Sequence, residues 1–250
     1  MRDDLGTALD LPGPPRRVVS LVPSLTEALA VTVPDRVVGA TDWCTHPPDL
    51  DVARVRGTKN PDRAAIAALA PDLVIANREE NRQLDVQRLR AAGIPVWVTV
   101  IESLDEALVS MRRLLTEVLD VSEPAWLRTA AAEWARPVPE PALRVAVPIW
   151  RDPWMVVGGR TFAGDVLARL GLHNAFADDE QRYPRVEPDD LGARDLDLVL
   201  LPDEPYVFTA EDGPEAFPDV RSVLISGRDL TWYGPSLATA RGRLLAATRG

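Results

Sequence analysis

The side chains most able to ligate a metal are few in this chain. Cys44 is the only cysteine, and His46 and His173 are the only histidines. Cys44 and His46 together supply two ligands, fewer than the three or four protein ligands of a zinc site. The sequence also contains neither the G-x-x-x-x-G-K-[ST] phosphate loop nor the G-x-S-x-G nucleophile motif. We therefore predict no metal site, no intrinsic cofactor and no catalytic residues.

An enzymatic alternative depends on carboxylates that follow two predicted strands. Glu80 and Glu204 could act as general acid and general base. His46 could instead take part in a chelatase-like reaction. The alternative to a non-catalytic binding protein is thus a cytosolic relative that uses its cleft as an enzyme.

Aromatic side chains stand after several predicted strands, where a flat hydrophobic ligand could stack on them. Trp97, Trp126 and Trp134 fall inside a predicted strand or predicted helices, so we assign them to the core. The aromatic residues that we predict to contact a ligand are Trp150, Trp154, Tyr206, Trp232 and Tyr233.

Polar residues gather in the predicted loops at one end of the strands, and loops carry binding residues disproportionately. Their acids, amides and few cations suit a ligand with amides, hydroxyls or a positive centre. The polar residues that we predict to bind the ligand are Lys59, Asn60, Asn77, Glu79, Glu80, Arg151, Glu204 and Asp229.

Strands and helices alternate along the chain, which predicts parallel, helix-covered sheets. Ser24 is expected to cap the first helix in a capping box with Glu27. The predicted strands are 18–22, 36–40, 73–76, 94–100, 143–149 and 197–201. The predicted helices are 25–30, 62–69, 81–92, 104–119, 124–135, 161–170 and 189–193.

The two halves of the chain contain similar sequence segments. PDLVIAN begins at residue 71 and LDLVLLP begins at residue 196, and an acidic pair follows each. The sequence thus predicts an α/β fold with two Rossmann-like lobes, parallel sheets and a ligand cleft between the lobes. The predicted parts are an extended N-terminal arm (1–16), an N-terminal lobe (17–121), a connecting helix (122–136) and a C-terminal lobe (137–250).

Charge and hydropathy limit the partners. The net charge of −10 argues against nucleic acid, and no apolar run approaches the roughly 20 residues that span a bilayer. The first twenty residues lack the basic and apolar regions of a secretory signal. We predict a cytoplasmic monomer, or an extracytoplasmic one if the start codon is mis-annotated.

Four segments in this order resemble the class III, helical-backbone substrate-binding proteins of ABC importers for metal chelates, which include the cobalamin and siderophore receptors. The segments are VVSLVPSLTEAL, GTKNPD, APDLVIANREEN and RTFAGDVLARLGLHNAF. The resemblance runs from about residue 17 to the C-terminus. It implies two Rossmann-like lobes joined by a long helix, a ligand held between them, hinge motion and no chemistry.

The resemblance also implies ligand contacts. Trp43 matches an aromatic residue that touches the ligand in cobalamin receptors, and Tyr183 matches the aromatic residue of an aromatic-proline motif. Thr58 and Asn77 stand where those receptors have tryptophans. We expect all four to line the site. The expected ligand is a corrinoid or other metal chelate, with a ferric siderophore as the alternative.

An ABC transporter permease is the protein partner that the resemblance implies. The receptors dock through one glutamate on each lobe. Asp189 matches this position on the second lobe, whereas the match on the first lobe is Ala64, with Asp62 the nearest acid. We therefore expect Asp62 and Asp189 to be the docking residues.

Overall fold

Two parallel β-sheets, one in each of two structural units, carry the fold in the computed structural model, which describes residues 1–140, 143–187, 190–191 and 194–249. Unit 1 consists of Met1–Ile101, Glu106–Arg128 and Tyr233–Pro235. Unit 2 consists of Glu102–Asp105, Thr129–Trp232 and Ser236–Gly250.

The first part of the chain alternates short strands and helices. Its strands are β1 (Val18–Ser20), β2 (Val37–Ala40), β3 (Ala53–Arg54), β4 (Arg56–Gly57), β5 (Asn60–Pro61), β6 (Leu73–Asn77) and β7 (Val96–Thr99). Its helices are α1 (Pro23–Thr32), α2 (Arg63–Ala68), α3 (Gln83–Ala91), α4 (Leu104–Arg113), which continues as a π-helix (Leu114–Val118), and α5 (Ala125–Trp134). The transition from unit 1 to unit 2 at Arg128 falls within α5.

The sheet of unit 1 has the strand order β3-β2-β1-β6-β7, and every pair is parallel. Its two central strands, β1 and β6, are buried along their whole length. Strands covered by helices on both faces are expected to be apolar throughout. The core on this sheet contains Val19, Leu21, Val55, Ile66, Val74, Ala76, Val86, Leu89, Val96 and Val98.

The second part of the chain repeats this construction. Its strands are β8 (Leu143–Ala146), β9 (Pro148–Trp150), β10 (Met155–Val156), β11 (Leu172–Asn174), β12 (Leu198–Pro202) and β13 (Ser222–Ile225). Its helices are α6 (Phe162–Arg169), α7 (Gly227–Thr231) and α8 (Leu237–Arg249). The sheet of unit 2 has the parallel order β11-β8-β12-β13, while β9 and β10 form an antiparallel pair. The predicted α/β fold with parallel sheets is confirmed.

The structure differs from the sequence prediction at the start of α1 and in the strand predicted at 143–149. Helix α1 begins at Pro23 with Val22 as its N-cap and without a side-chain cap, so the expected capping box of Ser24 and Glu27 is wrong. Proline is favoured in the first turn of a helix because it lacks the N–H that would be unpaired there. The predicted strand 143–149 is two strands, because β9 leaves the parallel sheet to pair with β10. The predicted helix 189–193 lies largely outside the described residues.

The first residues, expected to form an extended arm, pack on unit 1 instead. Arg2 and Ala8 form an antiparallel bridge. The buried carboxylate of Asp3 accepts hydrogen bonds from the N–H of Thr7 at 2.8 Å and from Arg90 Nη2 at 2.6 Å. Asp4 accepts one from the hydroxyl of Ser110 at 2.6 Å. These acids therefore anchor the start of the chain.

Among the described residues, none of the helices combines the length and the apolar character that a membrane crossing needs.

Candidate ligand-binding site

Two buried asparagines organise the loop that follows β6 in unit 1. Asn77, the last residue of β6, donates from its side-chain amide to the hydroxyl of Thr99 at 3.1 Å. Its side-chain oxygen accepts from the N–H of Glu79 at 2.8 Å. Its own N–H donates to Oδ1 of Asn81 at 2.9 Å. Asn77 is therefore a structural residue at the carboxyl end of its strand.

Asn81 joins this loop to two others. Its Nδ2 donates to the carbonyl of Thr58 at 2.9 Å and to the carbonyl of Leu21 at 3.3 Å. Lys59 adds a second link, because its ammonium group donates to the carbonyl of Glu79. The loops after β1 and β6 and the β4–β5 hairpin are thus tied together at the carboxyl edge of the sheet, where ligands of such sheets bind.

The most exposed tryptophan lies beside this edge. Trp43 keeps 67% of its surface exposed. Its indole lies against the β4–β5 hairpin, since a Cβ built on Gly57 would be 3.4 Å from its Nε1. An exposed aromatic face next to convergent polar loops suits a flat ligand.

The neighbouring thiol is not available for chemistry. Cys44 is buried, and its sulfur lies 3.0 Å from the hydroxyl of Thr26 and 3.1 Å from that of Thr41. Burial raises the pKa of the Cys44 thiol, although these hydrogen bonds oppose the rise. A buried thiol with a raised pKa is inert at neutral pH. Within the described residues, no three histidine, cysteine, aspartate or glutamate side chains lie together as a metal site would need.

Glu80 contacts a residue from the other end of the chain. The hydroxyl of Tyr233 donates to its Oε1 at 3.0 Å, and both residues belong to unit 1. Burial, followed by the nearby Glu80 carboxylate, raises the pKa of Tyr233 well above its usual value. Tyr233 therefore stays a neutral hydrogen-bond donor.

Unit 2 carries an aromatic cluster around the β9–β10 pair. Trp150 is 44% exposed and meets Tyr206 edge-on, with ring centroids 5.8 Å apart. Trp154 is 7% exposed and stacks on Phe208 at 5.8 Å with an interplanar angle of 12°. Phe217 packs edge-on against Trp154 at 5.2 Å. Trp150 and Tyr206 thus form the accessible part of this cluster, and Trp154 forms its core.

Charged groups fix the accessible aromatic residues. Arg151 pairs with Asp212 and Glu215. The hydroxyl of Tyr206 donates to Oδ2 of Asp212 at 2.6 Å, and this hydrogen bond raises the pKa of Tyr206. Sequence reasoning identified Arg151 and Tyr206 but missed Asp212 and Glu215, whose only signal is their position in an acidic loop.

The loop after β12 contains a carboxylate in an unusual setting. Burial raises the pKa of Glu204, while a hydrogen bond with the Trp232 side chain opposes the rise. Its Oε1 is buried and has no hydrogen-bond partner within the part of the chain that the structure describes. Trp232 itself is buried, with the guanidinium of Arg228 5.7 Å from its ring centroid.

Asp229 is a structural residue in unit 2. Its side chain is 4% exposed, and both of its oxygens accept hydrogen bonds from the guanidinium of Arg243 in α8. A bidentate pair of this kind satisfies the carboxylate fully. Asp229 therefore holds α7 to α8.

The predicted ligand contacts thus divide by accessibility. Trp43, Lys59, Asn60 and Trp150 are exposed. Thr58, Glu79, Glu80, Arg151, Tyr183, Glu204 and Tyr206 are partly exposed. Asn77, Trp154, Asp229, Trp232 and Tyr233 are buried. Of the three tryptophans assigned to the core, Trp97 and Trp134 are buried as predicted, whereas Trp126 is partly exposed.

The expected docking residues give a mixed result. The carboxylate of Asp62 caps α2 by accepting hydrogen bonds from the N–H groups of Ala64 and Ala65 at 3.1 and 3.0 Å. The Ala65 hydrogen bond is the main reason that the pKa of Asp62 is lowered. Asp62 thus has a structural role whether or not it meets a partner. Asp189 lies outside the described residues.

The chain is similar in sequence to known binding proteins. A vitamin B12-binding protein of Pectobacterium carotovorum is 25% identical over 203 residues, which cover 76% of this chain and 72% of that protein. No protein-family profile matches the chain.

Solved structures agree on the fold. The periplasmic vitamin B12-binding protein of Vibrio cholerae superposes with a TM-score of 0.76 at 19% identity, covering 95% of this chain and 98% of that one. A periplasmic heme-binding protein of Roseiflexus sp. RS-1 in its apo form superposes with a TM-score of 0.77 at 23% identity, covering 94% of this chain and 98% of that one.

These comparisons overturn one prediction. The cytoplasmic location expected from the first twenty residues is contradicted, because both superposed structures are of periplasmic proteins. The expectation used the composition of one short segment, whereas the comparisons use nearly the whole chain.

Proposed function

We propose that this chain, which belongs to the class III substrate-binding protein family of ABC importers, binds a corrinoid and releases it chemically unchanged. The observation that carries the proposal is the similarity to a vitamin B12-binding protein over 76% of the chain. The site geometry supports it, because the carboxyl edge of unit 1 presents an exposed indole beside a set of polar loops.

The accessible residues suit such a ligand. A corrinoid has a broad, largely apolar ring whose rim carries amide groups. An exposed tryptophan can stack on the ring, while amides, hydroxyls and carboxylates can exchange hydrogen bonds with the rim. From the accessible members of the predicted set we propose the contacts Trp43, Thr58, Lys59, Asn60, Glu79, Glu80, Trp150, Arg151, Tyr183, Glu204 and Tyr206.

The buried members of the predicted set have a supporting role in this proposal. Asn77 shapes the loop after β6, Asp229 pairs with Arg243, and Trp154 fills the core of unit 2. Substituting them changes ligand binding through the fold rather than through a lost contact.

We further propose that the chain hands its ligand to the membrane permease of an ABC importer, as members of this family do. The proposal keeps Asp62 and Asp189 as docking candidates. Because Asp62 also caps α2, a docking test needs Asp62→Asn, which keeps a cap-forming oxygen but removes the charge.

The test is a calorimetric and absorbance titration of the purified chain with cyanocobalamin, cobinamide, hemin and a ferric siderophore. Saturable binding of either corrinoid, weakened at least about tenfold by Trp43→Ala, supports the proposal. The matched control is Trp126→Ala, which removes a partly exposed tryptophan that is bonded to Thr32 and lies outside the proposed contacts. Flat corrinoid titrations, or binding of hemin or siderophore alone, overturn it.

The non-catalytic part of the proposal has its own test. After prolonged incubation with cyanocobalamin and extraction, mass spectrometry of the ligand should show the starting mass alone. A product of different mass that forms with wild-type chain and not with Glu80→Gln or Glu204→Gln would establish turnover instead.

A further inference from the structure

We propose that Asn81 is a positioning residue for ligand binding, which holds the β4–β5 hairpin where Gly57 supports the exposed indole of Trp43. The inference rests on the proposed function, since it concerns how the stacking surface is kept in place.

The hairpin cannot hold its own position. Each of its strands has two residues, paired as Arg56 with Pro61 and Gly57 with Asn60. An isolated two-stranded hairpin is at best marginally stable in water. Contacts from outside the hairpin must therefore decide where it lies.

Trp43 depends on this hairpin. The residue before it donates its N–H to the carbonyl of Arg56 at 2.9 Å, which joins the two segments. The indole then lies against Gly57, where an added Cβ would also collide with the side-chain oxygen of Asn60. With 67% of its surface in solvent, the ring has little other packing to define its orientation. A displaced hairpin therefore means a displaced ring.

Asn81 supplies the external contact from a rigid base. It is 5% exposed, and its Oδ1 accepts the N–H of Asn77 in the buried strand β6. Its Nδ2 reaches the carbonyl of Thr58 in the hairpin and the carbonyl of Leu21 after β1. The side-chain amide of Asn81 therefore accepts a hydrogen bond from the sheet and donates hydrogen bonds to two loops. Aspartate cannot replace it, because a carboxylate has no proton to donate.

Lys59 is the weaker of the two side-chain links between the hairpin and the loop after β6. Its ammonium group also joins the hairpin to the loop after β6, through the carbonyl of Glu79. However, Lys59 is exposed and its bond competes with water. We expect Lys59→Met to displace the Trp43 ring less than Asn81→Ala does.

Unit 2 offers a matched control for the loss of a buried asparagine. Asn174 is also 5% exposed. Its Nδ2 donates to the carbonyl of Val157 at 3.0 Å, and its Oδ1 accepts the N–H of Phe176 at 3.1 Å. Asn174→Ala therefore removes a similar set of bonds far from Trp43 in the sequence.

The first experiment follows Trp43 without any ligand. The full chain is labelled with 5-fluorotryptophan, and the Trp43 signal among the seven tryptophans is assigned from Trp43→Phe by fluorine NMR. Asn81→Ala and Gly57→Ala should each shift or broaden that signal, and Asn174→Ala should leave it in place. An unmoved Trp43 signal in Asn81→Ala overturns the inference. If Asn81→Ala fails to fold, Asn81→Asp gives the reading instead, because it keeps the oxygen that accepts the N–H of Asn77 and loses the two donated bonds.

The second experiment is a double-mutant cycle with cyanocobalamin. Asn81→Ala and Trp43→Ala should each weaken binding about tenfold, and the double variant should lose less affinity than the product of the two single losses, because part of the Asn81 effect acts through Trp43. Losses that multiply would show that Asn81 acts independently of Trp43, and would overturn this inference while leaving corrinoid binding intact. A wild-type chain that binds no corrinoid would overturn the proposed function, whereas the fluorine signal would still decide whether Asn81 positions Trp43.

Discussion

The hydroxyl of Tyr233 donates a hydrogen bond to Oε1 of Glu80 at 3.0 Å, across 153 positions of sequence. The next residue reinforces the contact, since a Cβ on Gly234 would lie 2.7 Å from the carbonyl oxygen of Ser24 in α1. Residues 233–235 therefore belong to unit 1, although the segments on either side of them belong to unit 2.

Tyr233→Phe should lower the free energy of unfolding by about 2 kcal/mol, because it removes a buried hydrogen bond to a carboxylate. Urea denaturation followed by circular dichroism measures the change. Tyr206→Phe is the control, and it should have a smaller effect because its hydroxyl lies at a partly exposed position. Equal stability of Tyr233→Phe and wild type would show that the bond to Glu80 contributes nothing.

Glu204 should make stability depend on pH. Burial raises its pKa in the folded chain, so its contribution is fully present below the unfolded pKa and is lost as the pH rises through the folded pKa. Glu204→Gln should remove this loss, so the stability of the variant relative to wild type should increase as the pH rises from about 4.3, the ordinary pKa of a glutamate, through the raised pKa of the folded chain.

Urea midpoints at several pH values test this expectation. Glu211→Gln, at an exposed position of the same loop, is the matched control for the loss of a carboxylate. A Glu204→Gln difference from wild type that stays constant with pH would contradict the prediction.

Trp150 and Trp154 lie in and beside the β9–β10 pair, and substituting them should have different effects, on ligand binding for Trp150 and on stability for Trp154. From sequence, Trp154→Ala is expected to weaken binding with little loss of fold. The structure reverses this expectation, because Trp154 is buried among Phe208 and Phe217. Trp154→Ala should cost about 3–5 kcal/mol of stability.

Trp150→Ala, at a position 44% exposed, should cost about 1 kcal/mol or less and weaken corrinoid binding. Thermal unfolding and calorimetry measure the two effects, and a stable Trp154→Ala chain would refute the core assignment.

The Asp229–Arg243 pair should contribute to stability and not to ligand contact. Asp229→Asn weakens both bonds to the guanidinium and should cost about 2 kcal/mol. Arg136→Ala, which breaks a surface pair with Glu133, should cost about 0.5 kcal/mol or less. Chemical denaturation compares them. A fully stable Asp229→Asn chain with impaired binding would instead support the ligand contact predicted from sequence.

Several features of the fold follow from local patterns. Strands β6 and β12, which the sequence predicts from an apolar run and from its repeat, are both buried throughout. Strands of helix-covered parallel sheets are expected to be buried in this way. The helix after Asp62 and the helix before Gly93 also lie where capping residues predict. Local patterns succeed here because backbone propensity and burial act on neighbouring residues.

Other features depend on partners distant in sequence. Trp43 and Trp154 lie in loops and Trp150 ends the short strand β9, yet Trp43 and Trp150 are exposed and Trp154 is buried. The residues next to each tryptophan in sequence do not distinguish the buried one, because the rings that cover Trp154 come from a loop more than fifty positions later. The role of Asn81 could not be predicted from sequence for the same reason, since its partner Thr58 lies 23 positions away.

The sequence by itself determined the alternation of strands and helices, the parallel sheets, the likeness to substrate-binding proteins and the edge at which candidate binding residues gather. These properties depend on periodicity and composition within short segments. Only the tertiary structure decided which candidates are accessible, which are paired with another side chain, and that Tyr233 belongs with Glu80. Burial and hydrogen bonding between distant segments arise when the chain packs, so no local pattern contains them.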